Sequence, residues 1–339
     1  MKAIQIVKPN ELRVIEIEKP QIDEKNNILV KMTAAGICGS DVGIYHGTNA
    51  AATYPRIIGH EMVGVIVETN SNVKNFKVGD RVIINQVTSC GHCYPCRKGR
   101  ANVCDNLKVR GVHIDGGYKE YIAVPEEDCY LLPDNISDVD AVMIEPTTIA
   151  IQSCSRAELE EDDMLLILGA GALGSSILKI AKLTCNHIIV ADINPEKLKE
   201  AKKMGAKYTI NVLEEDIQEK VKEYTFGRGT TVSIDAACHK TSLITLLNAT
   251  GNAGRVITMG FSPSATEVNQ FIITSKELDI RGSRLQNKMF GKAISLIKEG
   301  KLDLSGSCSH TFKFQDAQKA FDFNDSKDPS IRKIVFTFD

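Results

Sequence analysis

The sequence has almost no excess of charge of either sign. Its 41 Lys and Arg residues face 43 Asp and Glu residues, which leaves a net charge of −2. A protein that binds nucleic acid or an anionic membrane electrostatically carries a strong positive excess, and that excess is missing here. We therefore expect no nucleic-acid partner and no attachment to a membrane surface.

Long apolar runs are also absent. No segment reaches the roughly eighteen consecutive apolar residues that a membrane-spanning helix needs. Residues 1–20 carry charges every few positions and lack the apolar core of a signal peptide. These absences exclude the patterns of membrane-spanning and secreted proteins, so we expect a cytoplasmic location.

The hydrophobic pattern of the first 145 residues is that of a β domain. Short apolar alternations broken by glycine lie at 28–32, 61–68, 80–85 and 121–125. This pattern predicts an antiparallel, barrel-like β domain. With 339 residues and 43% hydrophobic content, the chain is long enough to bury a second core as well.

From about residue 148 the pattern changes. Continuous apolar runs of strand length occupy 164–169 and 187–192, and residues 177–183 between them have helical spacing. Alternation of buried strands and helices is typical of a doubly wound parallel sheet. The sequence therefore predicts an α/β protein of two domains.

Four of the ten cysteines crowd into residues 90–104. Cys90, Cys93, Cys96 and Cys104 have the spacing C-x2-C-x2-C-x7-C. In a reducing compartment such a cluster points to a metal site, and four thiolates suit a closed structural zinc site. An iron–sulfur cluster is the alternative, but its bacterial pattern has three residues before the last cysteine and a proline after it. Here Asp105 follows, which favours zinc.

The segment GAGALG has the glycine spacing of a dinucleotide-binding turn. It follows a buried strand and opens a helix, and Asp192 ends the next strand. Gly169 permits the tight turn, Gly171 lets a pyrophosphate approach the main chain, and Gly174 lets helix and strand pack closely. A carboxylate at Asp192 would bind the ribose hydroxyls and repel a 2′-phosphate. The pattern therefore predicts NAD in preference to NADP.

Two further stretches contain metal-ligand residue types. GICGSD carries Cys38, and GHEMVG carries His60 and Glu61. Taken with the cysteine cluster and the glycine turn, in this order and at these separations, they resemble the zinc-dependent medium-chain dehydrogenases, and the resemblance covers essentially the whole chain. GVHIDGGYKEY, VMIEP, DAACH and GSRLQN most resemble the sorbitol dehydrogenase branch, near the RspB-like proteins and the L-gulonate or L-galactonate 5-dehydrogenases.

The resemblance implies a division of the chain into domains. Residues 1–147 would form a GroES-like β-barrel catalytic domain with a structural zinc lobe at 88–106. Residues 148–284 would form a Rossmann NAD-binding domain, and 285–339 would return to the catalytic domain. The active site is expected in the cleft between the two domains, and a homodimer or homotetramer is expected through the sheet edge near 255–283.

The resemblance also assigns a catalytic zinc, which brings the expected total to two zinc ions per chain. Cys38 and His60 are its expected ligands, and either Glu61 or Glu145 supplies the remaining protein ligand. Ser40 is the expected first hydroxyl of a proton relay, and Asp41 could support His60. Relatives often have histidine at the position of Gly43; here His46, the nicotinamide ribose or water would have to replace it, unless His46 is a surface residue.

The cofactor-binding positions follow from the same resemblance. They are Gly169, Gly171, Ala172, Leu173, Gly174, Asp192, Lys197, Ala237, Gly260, Ser283 and Arg284. Cys129, Cys154, Cys185, Cys238 and Cys308 are interpreted as thiols without a role in the chemistry.

The expected reaction is oxidation of a secondary alcohol in a sugar acid or polyol. Zinc would favour the alkoxide, which would transfer hydride to NAD. L-Gulonate or L-galactonate is the best substrate hypothesis, and Arg110 or Arg284 could bind its carboxylate. The alternatives are a sorbitol-, L-idonate- or L-threonine-type dehydrogenase, a zinc-free reductase, and a zinc-binding regulatory protein on the same fold.

Overall fold

The computed structural model describes residues 1–261 and 264–338. The chain divides into two units. One consists of Met1–Glu145 with Phe290–Asp339, and the other is Pro146–Met289. Among the described residues, no helix has both the length and the apolar character needed to cross a bilayer.

The strands, numbered in chain order, are as follows. They are β1 (Lys2–Lys8), β2 (Glu11–Glu16), β3 (Ile28–Gly36), β4 (Arg56–Ile57), β5 (Glu61–Thr69), β6 (Arg81–Ile84), β7 (Val87–Thr88), β8 (Lys108–Val109), β9 (Tyr121–Val124), β10 (Cys129–Leu131), β11 (Met164–Leu168), β12 (His187–Asp192), β13 (Tyr208–Asn211), β14 (Thr230–Asp235), β15 (Thr250–Thr258), β16 (Asp279–Gly282), β17 (His310–Lys313) and β18 (Ile334–Thr337).

The helices are numbered in the same way. They are α1 (Gly39–Tyr45), α2 (Tyr94–Arg97), α3 (Asp138–Ala141), α4 (Ile144–Ala157), α5 (Ala172–Ala181), α6 (Pro195–Lys203), α7 (Ile217–Tyr224), α8 (Ser242–Ala249), α9 (Gln270–Lys276), α10 (Phe290–Lys298) and α11 (Ala317–Asp325). Short 3-10 helices occupy Ala101–Val103, Glu126–Asp128 and Phe314–Asp316.

The first unit is built on a seven-stranded sheet. Its order is β10-β6-β5-β3-β18-β17, and β9 also pairs with β3. Alternate residues of β3 and β5 enter a hydrophobic core, as the alternating sequence pattern predicts. The β domain predicted for this part of the chain is confirmed.

The register of this sheet positions the residues of interest. Gly36, the last residue of β3, pairs with Glu61, the first residue of β5. On its other side Gly36 pairs with Val335 of β18. The strand from the C-terminal segment therefore lies next to the strand that leads into the GICGSD motif.

The second unit has a six-stranded parallel sheet. Its order is β13-β12-β11-β14-β15-β16, in which the direction of winding reverses between β11 and β14. This is the Rossmann order, and it confirms the predicted doubly wound fold. Asn194 caps α6 by accepting the N–H groups of Glu196 and Lys197, as the Asn-Pro-Glu sequence predicts.

Candidate active site and metal centres

Cys38, His60 and Glu61 lie together in the first unit. Each offers one ligand atom, and the three atoms lie within 4.8 Å of one another. Cys38 precedes α1, and His60 and Glu61 stand at the start of β5. His60 and Glu61 are buried, while Cys38 is half-buried. A thiolate, an imidazole and a carboxylate are all ligands that zinc accepts.

Asp41 organises the main chain around this group. One carboxylate oxygen, Oδ2, accepts the N–H of Cys38 at 3.0 Å, and Oδ1 accepts the N–H of Gly59 at 3.2 Å. Oδ1 also lies 3.4 Å from Nδ1 of His60. Burial alone lowers the pKa of His60, but the charges of Asp41 and Cys38 outweigh it and raise that pKa well above its usual value. The same negative field would favour a metal cation.

Tyr118 is a further residue of this region that the sequence motifs did not single out. It is fully buried, and its hydroxyl donates to the carbonyl of Gly36 at 2.8 Å and lies 3.3 Å from Asp41 Oδ2. Its ring fills the space beside Gly59, where any added Cβ would overlap it, and Gly59 has φ +92°. The glycine before His60 is therefore required by both backbone conformation and packing.

Lys333 forms a buried ion pair with Glu61. Its ammonium contacts Glu61 Oε1 and donates to the carbonyl of Ile37 at 3.1 Å. Only 5% of Lys333 is exposed, and Glu61 is fully buried. Glu61 Oε2 has no hydrogen-bond partner among the described residues. This orphaned oxygen and the ligand types beside it fit a metal ion, because an unpaired buried carboxylate oxygen is costly.

Gly36 leaves room for this carboxylate. A Cβ at this position would overlap Glu61 Oε2 and lie 2.9 Å from Cε of Lys333. The glycine of GICGSD is thus needed for the position of a side chain on the neighbouring strand. Sequence spacing does not reveal this requirement, since Gly36 and Glu61 meet only through the sheet register.

Glu145 is not a member of the group of three ligand residues. It is the second residue of α4, it is 4% exposed, and its Oε1 accepts a hydrogen bond from Nε2 of Gln86. Burial raises the pKa of Glu145 to about 7, with His60 opposing the rise and Glu61 adding to it. Of the two glutamates predicted as alternative ligands, the structure brings Glu61 to Cys38 and His60.

The predicted relay residues have different surroundings. Ser40 lies in the first turn of α1 and is half-buried. His46 has both ring nitrogens engaged, Nδ1 with Asn10 Oδ1 at 2.9 Å and Nε2 with Asp325 Oδ1 at 3.1 Å. These contacts tie His46 to a loop and to α11, which supports its interpretation as a surface residue. A side chain at Gly43 would meet Thr48 Oγ1 at 3.3 Å.

Cys90, Cys93, Cys96 and Cys104 form a second group able to hold a metal ion. The sulfur of Cys104 lies 3.5 Å from that of Cys90 and 3.7 Å from that of Cys93. It also accepts the N–H groups of Cys90 and Asn106, each at 3.3 Å. N–H donors directed at sulfur stabilise thiolates, so this geometry fits the predicted tetrahedral zinc site.

The thiols of this lobe have divergent acidities. The backbone N–H groups of His92 and Cys93 lower the pKa of Cys90 to about 6. Burial and the neighbouring thiols of Cys93 and Cys104 raise the pKa of Cys96 to about 11. Four adjacent sulfurs cannot all ionise together without a cation, because each new charge repels the others. A divalent ion removes this conflict.

The GAGALG turn joins β11 to α5 in the second unit. Gly169 has φ +104°, and a Cβ there would lie 2.7 Å from the backbone nitrogen of Ala237. A Cβ at Gly174 would overlap the carbonyl oxygen of Gly169, whereas none of the described atoms lies within 4 Å of one at Gly171. Gly171 is the N-cap of α5, so this open main chain stands at a helix N-terminus, where an anion is stabilised.

Asp192 ends β12 beside this turn. Its Oδ2 accepts the N–H of Ala170 at 2.6 Å, and its Oδ1 accepts that of Asn194 at 2.8 Å. The other predicted cofactor residues of this unit are Ala172 and Leu173 in the first turn of α5, Lys197 in the first turn of α6, Ala237 after β14, Gly260 after β15, and Ser283 and Arg284 after β16. All of them therefore belong to the unit that contains the Rossmann sheet.

Arg110 and Arg284 have partners within their own units. Arg110 is buried, and its NH2 group donates to Asp128 Oδ2 at 2.8 Å. This ion pair argues against the proposed role of Arg110 in binding a substrate carboxylate. The guanidinium of Arg284 stacks over the ring of Phe261, 4.1 Å from its centroid.

Two family models match the chain. Residues 24–134 match the alcohol dehydrogenase GroES-like domain, and residues 172–299 match the zinc-binding dehydrogenase domain. The starvation-sensing protein RspB of Escherichia coli K-12 is 41% identical over all of this chain and 99% of its own length. The L-threonine 3-dehydrogenase of Alteromonas mediterranea is 35% identical, with 90% of each chain covered.

Solved structures agree with these relatives. The rspB alcohol dehydrogenase of E. coli CFT073, complexed with cofactor NADH, has a TM-score of 0.94 and 40% identity, covering 100% of this chain and 99% of its own. L-Idonate 5-dehydrogenase from E. coli has a TM-score of 0.88 and 26% identity, and the match covers 99% of this chain and 98% of that chain. The chain therefore belongs to the zinc-dependent medium-chain alcohol dehydrogenase family and is an oxidoreductase.

The Gly36→Ala substitution tests the geometry around Glu61. We expect the added methyl group to displace the Glu61 carboxylate. The affinity of the Cys38, His60 and Glu61 group for zinc should then fall about tenfold. Equilibrium dialysis with metal analysis measures this. The matched control is Gly39→Ala in the same motif, where none of the described atoms lies within 4 Å of the new Cβ. Equal zinc affinity in both variants would contradict the assignment.

Proposed function

We propose that this protein is a zinc-dependent NAD oxidoreductase that oxidises a secondary alcohol of a sugar acid or polyol, with L-gulonate or L-galactonate as the best substrate hypothesis. The observation that supports it most is the convergence of the ligand atoms of Cys38, His60 and Glu61, together with the buried Oε2 of Glu61, which has no hydrogen-bond partner among the described residues. Such a donor set leaves a position for substrate, as a catalytic zinc site requires.

The residues of the first unit then have distinct roles. Cys38, His60 and Glu61 would hold the catalytic zinc, and Cys90, Cys93, Cys96 and Cys104 the structural one. When bound, the catalytic zinc supplies Lewis acidity to a substrate hydroxyl, and NAD accepts hydride.

Two further residues support this set. Asp41 places its carboxylate 3.4 Å from Nδ1 of His60 and fixes the main chain of Cys38 and Gly59. Ser40, the second residue of α1, would accept the substrate proton.

NAD rather than NADP is supported by Asp192. Its carboxylate stands at the end of β12 next to the glycine turn, where the ribose of the adenosine half binds in Rossmann folds. A 2′-phosphate there would be repelled by the carboxylate. The NADH bound to the similar rspB structure supports the same cofactor.

The sugar-acid substrate class is supported by the similarity to L-idonate 5-dehydrogenase. Arg284 is the remaining cation proposed to bind the substrate carboxylate or the cofactor, since Arg110 is paired with Asp128. An L-threonine-type reaction is the second candidate, which the relatives with that activity favour. Both substrate types carry a carboxylate and a secondary alcohol.

We also propose a cytoplasmic homodimer or homotetramer. None of the ten cysteines forms a disulfide, which suits a reducing compartment. Strand β16 is an edge strand of the Rossmann sheet, with Ile280 37% exposed, and Phe271 of α9 in the same unit is 74% exposed. An exposed apolar sheet edge supports pairing with a second copy.

A substrate panel tests the proposed reaction. With zinc-loaded protein and NAD, we expect reduction of NAD with L-gulonate or L-galactonate at a kcat/KM at least about tenfold above that with sorbitol, because sorbitol lacks the carboxylate whose binding adds affinity. L-Idonate is the stereochemical control. Turnover of sorbitol alone would refute the sugar-acid proposal, and turnover of L-threonine alone would favour the second candidate.

The Asp192→Asn substitution tests the cofactor preference. It removes the charge that repels a 2′-phosphate but retains an oxygen that accepts backbone N–H groups. We expect the ratio of kcat/KM for NAD over NADP to fall about tenfold or more, which corresponds to about 1.4 kcal/mol. Glu196→Gln on the exposed start of α6 is the control. An unchanged ratio in Asp192→Asn would show that this carboxylate does not select the cofactor.

Paired serine substitutions test the two metal roles. We expect Cys93→Ser to lower zinc content by about one ion per chain and to reduce stability, because the lobe loses a ligand. Cys38→Ser should abolish turnover while the fold is kept. Metal analysis, thermal unfolding and NAD reduction measure these effects, with Cys185→Ala as the control for loss of a thiol. Equal losses of activity with folding intact in both variants would contradict the roles.

A further inference from the structure

Two buried carboxylates stand near one metal-binding group, and each has a different partner. Glu61 Oε1 is paired with the ammonium of Lys333, while Glu145 Oε1 accepts a hydrogen bond from the side-chain amide of Gln86. Glu145 lies close enough for the charges of His60 and Glu61 to affect its pKa. Of these two carboxylates, Glu61 is the one grouped with Cys38 and His60, with its ligand oxygen within 4.8 Å of their ligand atoms.

Gln86 is held firmly enough to act as an anchor. It is fully buried in the short connection between β6 and β7. Its carbonyl accepts the N–H of Arg110 at 2.9 Å, and Arg110 is itself fixed by the ion pair with Asp128. Gln86 Oε1 has no partner among the described residues, so its contact with Glu145 is the hydrogen bond that determines the orientation of the amide.

The position of Glu145 matters because zinc binds carboxylates readily. A catalytic zinc site has three protein ligands and keeps its fourth position for water or substrate. A fourth protein ligand would fill that position. We propose that Gln86 is a positioning residue whose amide holds Glu145 away from the metal bound by Cys38, His60 and Glu61, and so keeps the substrate position open.

This inference rests on the proposed function, because it takes that ligand set as given. A positioning role for Gln86 and a purely structural role predict different results. A structural role affects stability alone, whereas the positioning role predicts a change in the coordination of the metal that depends on the presence of the Glu145 carboxylate.

Cobalt-substituted protein provides the test. The visible absorption of bound Co²⁺ depends on its ligands. Cobalt in the four-cysteine lobe also absorbs, so the spectrum of the Cys38→Ser variant is subtracted from that of the unsubstituted protein to leave the contribution of the Cys38, His60 and Glu61 group. Imidazole added to the solution reports whether the fourth position is open. In the unsubstituted protein we expect imidazole to bind and to shift the cobalt bands.

The Gln86→Leu substitution removes the amide donor but keeps the volume. We expect the cobalt bands to change and the apparent Kd for imidazole to rise about tenfold or more, because Glu145 now occupies the fourth position. In the double variant Gln86→Leu with Glu145→Gln, both the bands and the Kd should return to the original values. Thr88→Val, which changes a half-buried residue of the adjacent strand β7 whose hydroxyl oxygen is buried, is the matched control.

Three outcomes overturn the proposal. An unchanged imidazole Kd in Gln86→Leu shows that the amide does not restrain Glu145. Failure of the double variant to restore the spectrum shows that Glu145 is not the competing ligand. A changed cobalt spectrum in the single variant Glu145→Gln shows that Glu145 already binds the metal. Because this variant does not depend on Gln86→Leu, it still tests the proposal if Gln86→Leu does not fold.

Failure of the proposed function has a separate signature. If Cys38→Ser leaves the cobalt spectrum unchanged, then the metal does not bind at the Cys38, His60 and Glu61 group. Both the assignment of ligands and the role of Gln86 are then refuted. If the bands depend on Cys38 but not on Gln86, then the metal site stands and only the role of Gln86 is refuted.

Discussion

The arrangement of the candidate active site depends on the buried ion pair between Lys333 and Glu61. A carboxylate without exposure to water needs a partner, since burial of an isolated charge is very costly. Lys333 precedes β18, which pairs with β3, and β3 pairs with β5, where Glu61 is the first residue. The register of the final strand therefore determines where the carboxylate lies, and the C-terminal segment belongs to the site as much as the GHE motif does.

The charges around this pair explain why the group suits a divalent cation. Cys38 would bind a metal as a thiolate. With Asp41 and Glu61 it would then contribute three negative charges, against one positive charge from Lys333. A divalent ion brings the sum to zero, which a buried site tolerates best. Glu145 would add a fourth negative charge, and its raised pKa and its hydrogen bond from the neutral amide of Gln86 are consistent with that excess.

The motifs that the sequence predicts correctly depend on local spacing. The glycines of GAGALG and the Asn194 cap act within a few residues, so their geometry can be derived from the sequence. Gln86, Tyr118 and Lys333 could not be found in this way. They meet their partners across 59, 77 and 272 residues, through the sheet register and the packing between strands. No periodicity or short motif encodes such contacts, and only the resemblance indicated which of the scattered ligand residues belong together.

The two groups of candidate metal ligands also differ in whether their geometry depends on local or on distant parts of the chain. The cysteine lobe would take all four zinc ligands from fifteen consecutive residues, and the sulfur of Cys104 accepts the N–H groups of Cys90 and of Asn106, two residues beyond that segment. Cys38 and His60 lie on different elements, and Glu61 needs the space left by Gly36 and the charge of Lys333. A closed local site can form whenever its segment folds around an ion. A site with an open position needs distant elements to restrain each ligand, because the geometry that leaves room for substrate is not the one the ligands would adopt alone.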